Sequence, residues 1–407
     1  MTAVATTQAI LDALNPKQTP SQWESAFVRA GSDWDDLVVR AIVLGLAPQL
    51  HVRLSQWPVK LSSSAAAKLA VTYRAQAQRN EAIYAQLAEV LAACQDHGLQ
   101  PIALKGAHLA ACYYAEPALR PMNDIDLLFT LAELPQAEAM LRELGYGGKY
   151  KPAEMGAGVT KHTSTFRRAA GAEGRTVNPY LSAGGDRMIE PHTSLEESWF
   201  GLKVDITPGI RERAETACAE LAEVAGLGQY PCRVLNREDL LLHIGLHFCF
   251  HLIQGAPALV QLTDLLVITQ AGNLDWETFT ARVQSYDAVP YAFAGLKLAR
   301  DLLGAPVPAA QLTQLADLTP PALRQRIQML GLADILRRTQ QKPLTSITQR
   351  LQRGFQDRAA TAAWAADWHG RIQVWRTLFQ PVRTDTGQML LQKLRTTDLN
   401  DETDIHG

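Results

Sequence analysis

Cysteine is scarce in this sequence, and its positions carry neither a metal-binding nor a disulfide pattern. The five cysteines among 407 residues are odd in number, and none stands in a C-x-x-C spacing. This argues against a disulfide framework and against a zinc ribbon. We therefore expect reduced thiols, as in a cytoplasmic protein.

Long apolar runs are also missing. No segment of the sequence approaches the roughly 18 apolar residues of a membrane span. The first residues lack the basic and apolar regions of a secretion signal. These absences predict a soluble cytoplasmic protein with no membrane partner.

The sequence has no excess of charge of either sign. Its 39 Lys and Arg residues balance 41 Asp and Glu residues, so the formal net charge is -2. A nucleic-acid partner therefore gets no support from net charge. The chain exceeds the roughly 150 residues of an average domain, which predicts two domains or one domain with a large helical appendage.

Helical periodicity dominates both ends of the chain, and short apolar strands lie between them. Residues 23–99 have apolar residues at helical spacing, and nearly everything from Arg237 onward does too. In between, strands are predicted at 101–104, 124–129 and 187–190, the last ending at Pro191. The fold class we predict is α+β, with a small mixed sheet as the core and large amino- and carboxy-terminal helical regions.

The same patterns suggest domain boundaries. We expect a flexible N-terminus (1–20), an N-terminal helical region (21–99), the sheet core (100–232), a C-terminal helical domain (233–395) and an acidic disordered tail (396–407).

Two aspartates define the candidate catalytic site. Asp124 and Asp126 lie two apart in a predicted strand, so both carboxylates point to one face. Neighbouring anions need a cation, and a pair of Mg²⁺ ions that shares substrate phosphates suits them, with Mn²⁺ as the alternative ion. Glu190 ends another strand and would add a third carboxylate. The competing interpretation is an exposed Asp-x-Asp at a sheet edge.

Cations precede the acidic strand. Lys105-Gly106 closes a strand and opens a helix, where an ammonium, backbone N–H groups and the helix dipole suit nucleotide phosphates. We expect Lys105 at an exposed turn. Arg120 would add a further nucleotide-binding cation.

Histidines recur on one helix farther along the chain. His243, His247 and His251 stand at i, i+4 and i+8, which predicts either a metal site or buried histidines with satisfied ring nitrogens. If they are functional, His247 and His251 line an acceptor pocket with Asp264, and His192 joins it from beside Glu190.

Three tryptophans also recur at helical spacing. Trp364, Trp368 and Trp375 stand near several arginines, so base stacking is one interpretation. A helix face packed on the core is the other.

The motifs together resemble a known family. Leu104-Lys105-Gly106, Tyr113-Tyr114, Arg120-Pro121, Asp124 to Leu128 and Ile189 to His192 resemble the uncharacterised nucleotidyltransferase family, a branch of the polymerase-β-like nucleotidyltransferase superfamily. Leu240 to His251, followed by Asp264, is similar to a helical segment of that family. The resemblance spans roughly residues 30–290.

The resemblance implies a role for each residue of the candidate site. Asp124 and Asp126 would hold two Mg²⁺ ions, with Glu190 as the third carboxylate near the metal that activates the acceptor. Lys105 and Gly106 would hold the nucleotide's phosphates.

The implied activity is transfer of an NMP from an NTP to a hydroxyl-type acceptor, with release of pyrophosphate. The acceptor could be a small molecule, a peptide, a protein or RNA.

Mutual repulsion of the carboxylates further predicts that Asp126→Asn stabilises the metal-free protein.

Two alternatives remain open. One is a nucleotide-binding scaffold on an inactive fold, although a scaffold does not need three converging carboxylates. The other is a metal phosphohydrolase built on His243, His247, His251 and Asp264.

Overall fold

The structure is a computed structural model that describes residues 3–29, 33–149, 165–168, 187–224, 232–255, 259–336 and 347–379. The amino-terminal region is helical. Its helices are α1 (Ala3–Leu14), α2 (Pro20–Arg29), α3 (Trp34–Val43), α4 (Ala47–Ser55) and α5 (Ser63–Asp96). The Ser62 side chain caps α5 by accepting a hydrogen bond from Ala65 N–H, and Gly98 follows the helix at a positive φ of 67°.

The structure describes residues 3–20 of the segment for which the sequence predicts a flexible N-terminus. Helix α1 lies there, and its Ile10 and Leu11 are fully buried. Trp23 Nε1 donates a hydrogen bond to the Ala9 carbonyl at 2.7 Å. Burial of apolar side chains orders this segment, and its composition alone did not indicate that. The predicted acidic tail, 396–407, lies outside the described residues.

The middle of the chain forms the sheets. The strands are β1 (Ile102–Ala103), β2 (Asp124–Leu128), β3 (Gly147–Lys149), β4 (Thr165–Arg168), β5 (Arg187–His192), β6 (Glu196–Trp199), β7 (Leu202–Asp205), β8 (Glu215–Thr216) and β9 (Arg233–Val234). The helices among them are α6 (Lys105–Cys112), a 3₁₀ turn (Pro117–Leu119), α7 (Leu134–Glu143), α8 (Ile210–Arg213) and α9 (Ala219–Val224).

The main sheet is mixed. Its strand order is β3-β4-β5-β2-β1-β9-β8, and β6 and β7 form a separate hairpin. Strands β2 and β5 run parallel, as do β1 and β9, and the other described pairs are antiparallel. The predicted α+β fold class with a small mixed sheet is confirmed.

Strand β5 continues beyond Pro191, where the sequence predicted its end. Leu127 faces Pro191 and Leu128 faces His192 across the parallel ladder. The described pairing of β5 with β4 ends at Ile189, so the missing N–H of Pro191 falls beyond that ladder.

The carboxy-terminal region is helical. It contains α10 (Arg237–Gln254), α11 (Leu259–Gln270), α12 (Trp276–Ser285), α13 (Val289–Leu303), α14 (Ala309–Leu318), α15 (Pro321–Met329), α16 (Leu332–Leu336), α17 (Ile347–Ala362) and α18 (Trp368–Arg376). Within the described part of the chain, none of the helices is long and apolar enough to span a bilayer.

The two faces of the main sheet enter different cores. Ile125 and Leu127 of β2 pack into a cluster with α5 and α7 side chains. Leu128 lies on the opposite face and joins the large cluster that includes α10, α11 and α13. Because Asp126 alternates with Leu127, it shares the face of Leu128. The acidic face of the sheet is therefore the one turned toward the C-terminal helices.

The cysteines do not all remain reduced. Cys112, at the end of α6, and Cys218, just before α9, form a disulfide with Cα atoms 6.1 Å apart. Cys94, Cys232 and Cys249 are free and buried. The expectation of reduced thiols throughout was wrong, because two cysteines 106 residues apart in sequence meet through the tertiary fold.

Candidate active site

Strand register brings the acidic residues together. Across the parallel pair β2–β5, Asp126 faces Glu190, Asp124 faces Met188, and Leu128 faces His192. Directly opposed residues point to the same face of a sheet. Asp126, Glu190 and His192 consequently offer ligand atoms that lie within 4.8 Å of one another.

Within this cluster, Asp126 contacts both Lys105 and His192 through one carboxylate oxygen. Lys105 Nζ donates a hydrogen bond to Asp126 Oδ1 at 2.9 Å, and His192 Nε2 lies 2.6 Å from the same oxygen. The Asp126 and His192 side chains are 4% and 2% exposed. Burial alone would raise the pKa of Asp126, but Lys105 and His192 outweigh it and hold that pKa well below its ordinary value.

Lys105 does not lie at an exposed turn, as the sequence had suggested. Its side chain is 15% exposed and paired with Asp126. Its backbone has a positive φ of 44°, which is unusual for a non-glycine residue and is a form of strain often found at functional sites. Burial lowers the pKa of Lys105, but Asp126 and Asp124 together leave it raised. The ammonium therefore stays charged.

Asp124 has the opposite electrostatic environment from Asp126. Loss of hydration, followed by the negative charges of Asp126 and Glu190, raises the pKa of Asp124 to about 7. Lys105 and Arg120 act against this rise without cancelling it. Repulsion by Asp126 and Glu190 therefore contributes to the raised pKa of Asp124, whereas Lys105 and His192 lower the pKa of Asp126.

Arg120 is held away from solvent. Its Nε and Nη2 donate to the two oxygens of Asp264 at 3.2 and 2.9 Å, and Tyr114 Oη donates to Asp264 at 2.7 Å. The Arg120 side chain is 12% exposed and that of Asp264 is fully buried. A Cβ on Gly106 would lie 2.7 Å from Arg120 Nη1, so glycine there leaves room for the guanidinium. Asp264 thus binds Arg120 and Tyr114, and its place in an acceptor pocket stays a prediction.

The helix histidines form a separate group. His247 Nδ1 lies 2.7 Å from Glu197 Oε1 of β6, and Glu197 is 2% exposed. The His251 ring meets His247 edge to face at 4.5 Å, and His243 is buried. Within the described ranges, the one cluster able to hold a metal comprises Asp126, Glu190 and His192, and it includes none of these three histidines.

The tryptophans split between core and surface. Trp364 is 3% exposed, and Trp375 packs on Phe355 with ring centroids 4.9 Å apart. Trp368 is 72% exposed. The core interpretation holds for Trp364 and does not hold for Trp368.

Sequence reasoning missed Thr165. Its hydroxyl donates to Glu190 Oε1 at 3.2 Å, from the neighbouring strand β4. The period-2 pattern of β4 could have placed Thr165 and Arg167 on one face, but the sequence alone did not indicate that this strand pairs with β5.

The donor set fits a divalent cation. Two carboxylates suit Mg²⁺ or Mn²⁺, and an imidazole nitrogen favours a transition metal such as Mn²⁺ over Mg²⁺. Asp126, Glu190 and His192 would be the ligands. Asp124 lies on the same face of β2, two residues before Asp126.

Comparison with known proteins supports a family assignment. The model of the family described as "Uncharacterised nucleotidyltransferase" matches residues 30–304, which include every residue of the site above. No curated protein and no solved structure matches the chain.

Proposed function

Because the chain belongs to the uncharacterised nucleotidyltransferase family, we propose that it transfers an NMP from an NTP to an acceptor hydroxyl. The acceptor oxygen bonds to the α-phosphorus, the bond from that phosphorus to the α,β-bridging oxygen breaks, and pyrophosphate leaves. The hydroxyl proton passes to a site carboxylate or to water. The observation that carries the proposal is the convergence of Asp126, Glu190 and His192 beside the Lys105 ammonium.

The carboxylates are proposed to hold divalent metal. Asp124, Asp126 and Glu190 supply the charge, and His192 adds a nitrogen donor beside Asp126. We propose Mg²⁺, two ions when NTP is bound, with Mn²⁺ as the alternative that the imidazole favours. Bound metal would neutralise phosphate charge and increase the acidity of the acceptor hydroxyl.

Lys105 and Gly106 are proposed to bind the phosphates. An ammonium has three donors, and one Lys105 proton goes to Asp126, so the others can reach phosphate oxygens. Lys105 also begins α6, whose first backbone N–H groups have no partner within the helix. Arg120 is proposed to act indirectly on the site. Asp264 binds its guanidinium, and the positive charge of that guanidinium acts to lower the pKa of Asp124.

Among the described residues, the helix histidines and Asp264 do not form the metal-binding cluster that the phosphohydrolase alternative requires. Asp264 accepts hydrogen bonds from Arg120 and Tyr114, and His247 is paired with Glu197. The scaffold alternative predicts nucleotide binding without turnover. An assay of pyrophosphate release therefore distinguishes it from the proposal.

The assay incubates the full chain with each labelled NTP, Mg²⁺ or Mn²⁺, and a small-molecule or macromolecular fraction of a cell extract. We expect pyrophosphate release together with a labelled product. Asp126→Asn should abolish both, and Asp317→Asn, a change at a side chain that is 70% exposed, should leave both unchanged. Nucleotide binding without pyrophosphate under every condition would favour the scaffold.

The compartment is part of the proposal. We propose the cytoplasm, where NTPs are abundant, although the Cys112–Cys218 disulfide is a bond that cytoplasmic thiol pools usually reduce. Acid trapping of thiols in freshly lysed cells, followed by mass mapping, checks this. A fully oxidised pair in cells would argue for an oxidising compartment.

A further inference from the structure

Strand β4 places an arginine on the acidic face of the sheet. Arg167 faces Met188 across β4–β5, and Met188 faces Asp124 across β5–β2. These three residues therefore form one row across three adjacent strands. The next row contains Thr165, Glu190 and Asp126, and the hydrogen bond from Thr165 to Glu190 shows that the rows share a face.

The distance between Arg167 and Asp124, the two ends of this row, leaves room for a substrate between them. Two strand spacings separate the backbone of Arg167 from that of Asp124, which is about 10 Å. An extended arginine side chain covers much of that span. Its guanidinium can therefore reach a molecule that is bound over Glu190 and Asp124.

Arg167 differs from the other cations of the site in its availability. Lys105 and Arg120 are paired with Asp126 and Asp264 and are 15% and 12% exposed. Arg168, the next residue, points to the other face and pairs with Glu89. Arg167 is exposed, and with the described residues it forms no side-chain hydrogen bond or ion pair.

The strand order decides which substrate Arg167 meets. Lys105 follows β1, on one side of β2, whereas Arg167 lies on β4, two strands away on the other side. The phosphates of the NTP are proposed at Lys105. A group near Arg167 therefore belongs to the acceptor, which approaches over Glu190.

We propose that Arg167 binds an oxyanion, a phosphate or a carboxylate, carried by the acceptor. Arginine's planar guanidinium matches the two oxygens of either group. The acceptor is thus an anionic hydroxyl compound. This inference rests on the proposed nucleotidyl transfer and narrows its substrate class.

The test compares matched acceptors and matched variants. Ribose is paired with ribose 5-phosphate, and 1,2-propanediol with lactate, each with NTP and metal. We expect wild type to favour the anionic member. Arg167→Met should lower kcat/KM for it by about 10- to 100-fold, which is the loss expected for a charge-assisted hydrogen bond. The KM for NTP should stay unchanged.

Two further variants control for general effects. Arg167→Lys should retain part of the preference because it keeps the charge. Arg300→Met removes an exposed arginine from α13 and should change nothing. An equal loss for neutral and anionic acceptors in Arg167→Met would overturn the proposal, as would a preference for neutral acceptors in wild type.

A binding measurement keeps the test independent of turnover. Inorganic phosphate is titrated into wild type and Arg167→Met by calorimetry, with and without metal and a non-hydrolysable NTP analogue. We expect affinity at least 10-fold weaker in the variant, and equal affinity would overturn the Arg167 proposal. Absence of NTP binding and pyrophosphate release, with the phosphate difference intact, would instead refute the proposed function.

Discussion

At the scale of single residues, the two aspartates of β2 have opposite electrostatic roles. Asp126 accepts from Lys105 and contacts His192, and this lowers its pKa. Asp124 lacks such contacts among the described residues, and its pKa is raised to about 7. The sequence-based expectation that Asp126→Asn stabilises the metal-free protein is therefore revised, and Asp124 takes that place.

The first prediction concerns Asp126. In EDTA at pH 8, Asp126→Asn should lower the free energy of unfolding by about 3 kcal/mol, because it removes the hydrogen-bonded counter-charge of the largely buried Lys105 ammonium. Urea unfolding of wild type and variant measures this. An Asp126→Asn protein more stable than wild type would contradict the assigned pairing.

The second prediction concerns the pH dependence of Asp124. Its folded pKa lies above its unfolded pKa, so the folded state holds the proton more tightly. The contribution of protonated Asp124 to the free energy of unfolding is present in full below about pH 4. It is lost as pH rises toward about 7, by at most about 1.4 kcal/mol per pH unit.

The matched variant isolates that contribution. Asp124→Asn cannot titrate, so in EDTA its stability relative to wild type should grow between pH 4 and pH 7 and then level off. Unfolding curves across this range provide the measurement. A constant difference would mean that the pKa of Asp124 is not raised.

At the scale of elements, α6 links the site to the sheet edge. It begins at Lys105, beside Asp126, and ends at Cys112, which is bonded to Cys218 just before α9. One short helix thus joins the ammonium of the site to a covalent cross-link.

The third prediction tests this cross-link. Cys218→Ser should lower the free energy of unfolding by about 2–4 kcal/mol, since a bond across 106 residues restricts the unfolded chain. A thiol reductant should destabilise wild type and leave Cys218→Ser unchanged. Equal sensitivity of both proteins to the reductant would show that the pair is not bonded in solution.

At the scale of the whole molecule, a buried ion pair joins the sheet core to the C-terminal helices. Arg120 stands four residues before β2's Asp124, and its partner Asp264 lies on α11. Tyr114, two residues after α6, donates a further hydrogen bond to Asp264. The acidic face of the sheet is thus positioned against the helical region by a polar contact as well as by apolar packing.

The fourth prediction separates this contact from catalysis. Asp264→Asn should lower the free energy of unfolding by about 3–5 kcal/mol, because Arg120 would remain buried without a counter-charge. The loss should be equal in EDTA and in Mg²⁺, whereas Asp126→Asn should also lose metal-induced stabilisation. Thermal melts in both buffers distinguish the two roles. A metal-dependent loss for Asp264→Asn would place Asp264 in the metal site.

Much of the fold and part of the candidate site follow from local sequence. Helical spacing predicts the helices on both sides of the sheet, and period-2 alternation puts Asp124 and Asp126 on one face. The family was identifiable from the Leu104-Lys105-Gly106 and Asp124-to-Leu128 motifs, and the match over residues 30–304 confirms it. These features depend on residues close together in the chain. The domain boundaries and the roles of the site residues remain predictions.

Only the tertiary structure decided which charges meet. The Arg120–Asp264 pair spans 144 residues, the Cys112–Cys218 bond spans 106, and Lys105 reaches Asp126 across 21. Strand order and register then set Arg167 in the row of Asp124. Such contacts depend on how separate elements pack, and several pairings are compatible with the same local patterns. Local periodicity therefore determines which way a side chain points, and packing determines what it meets.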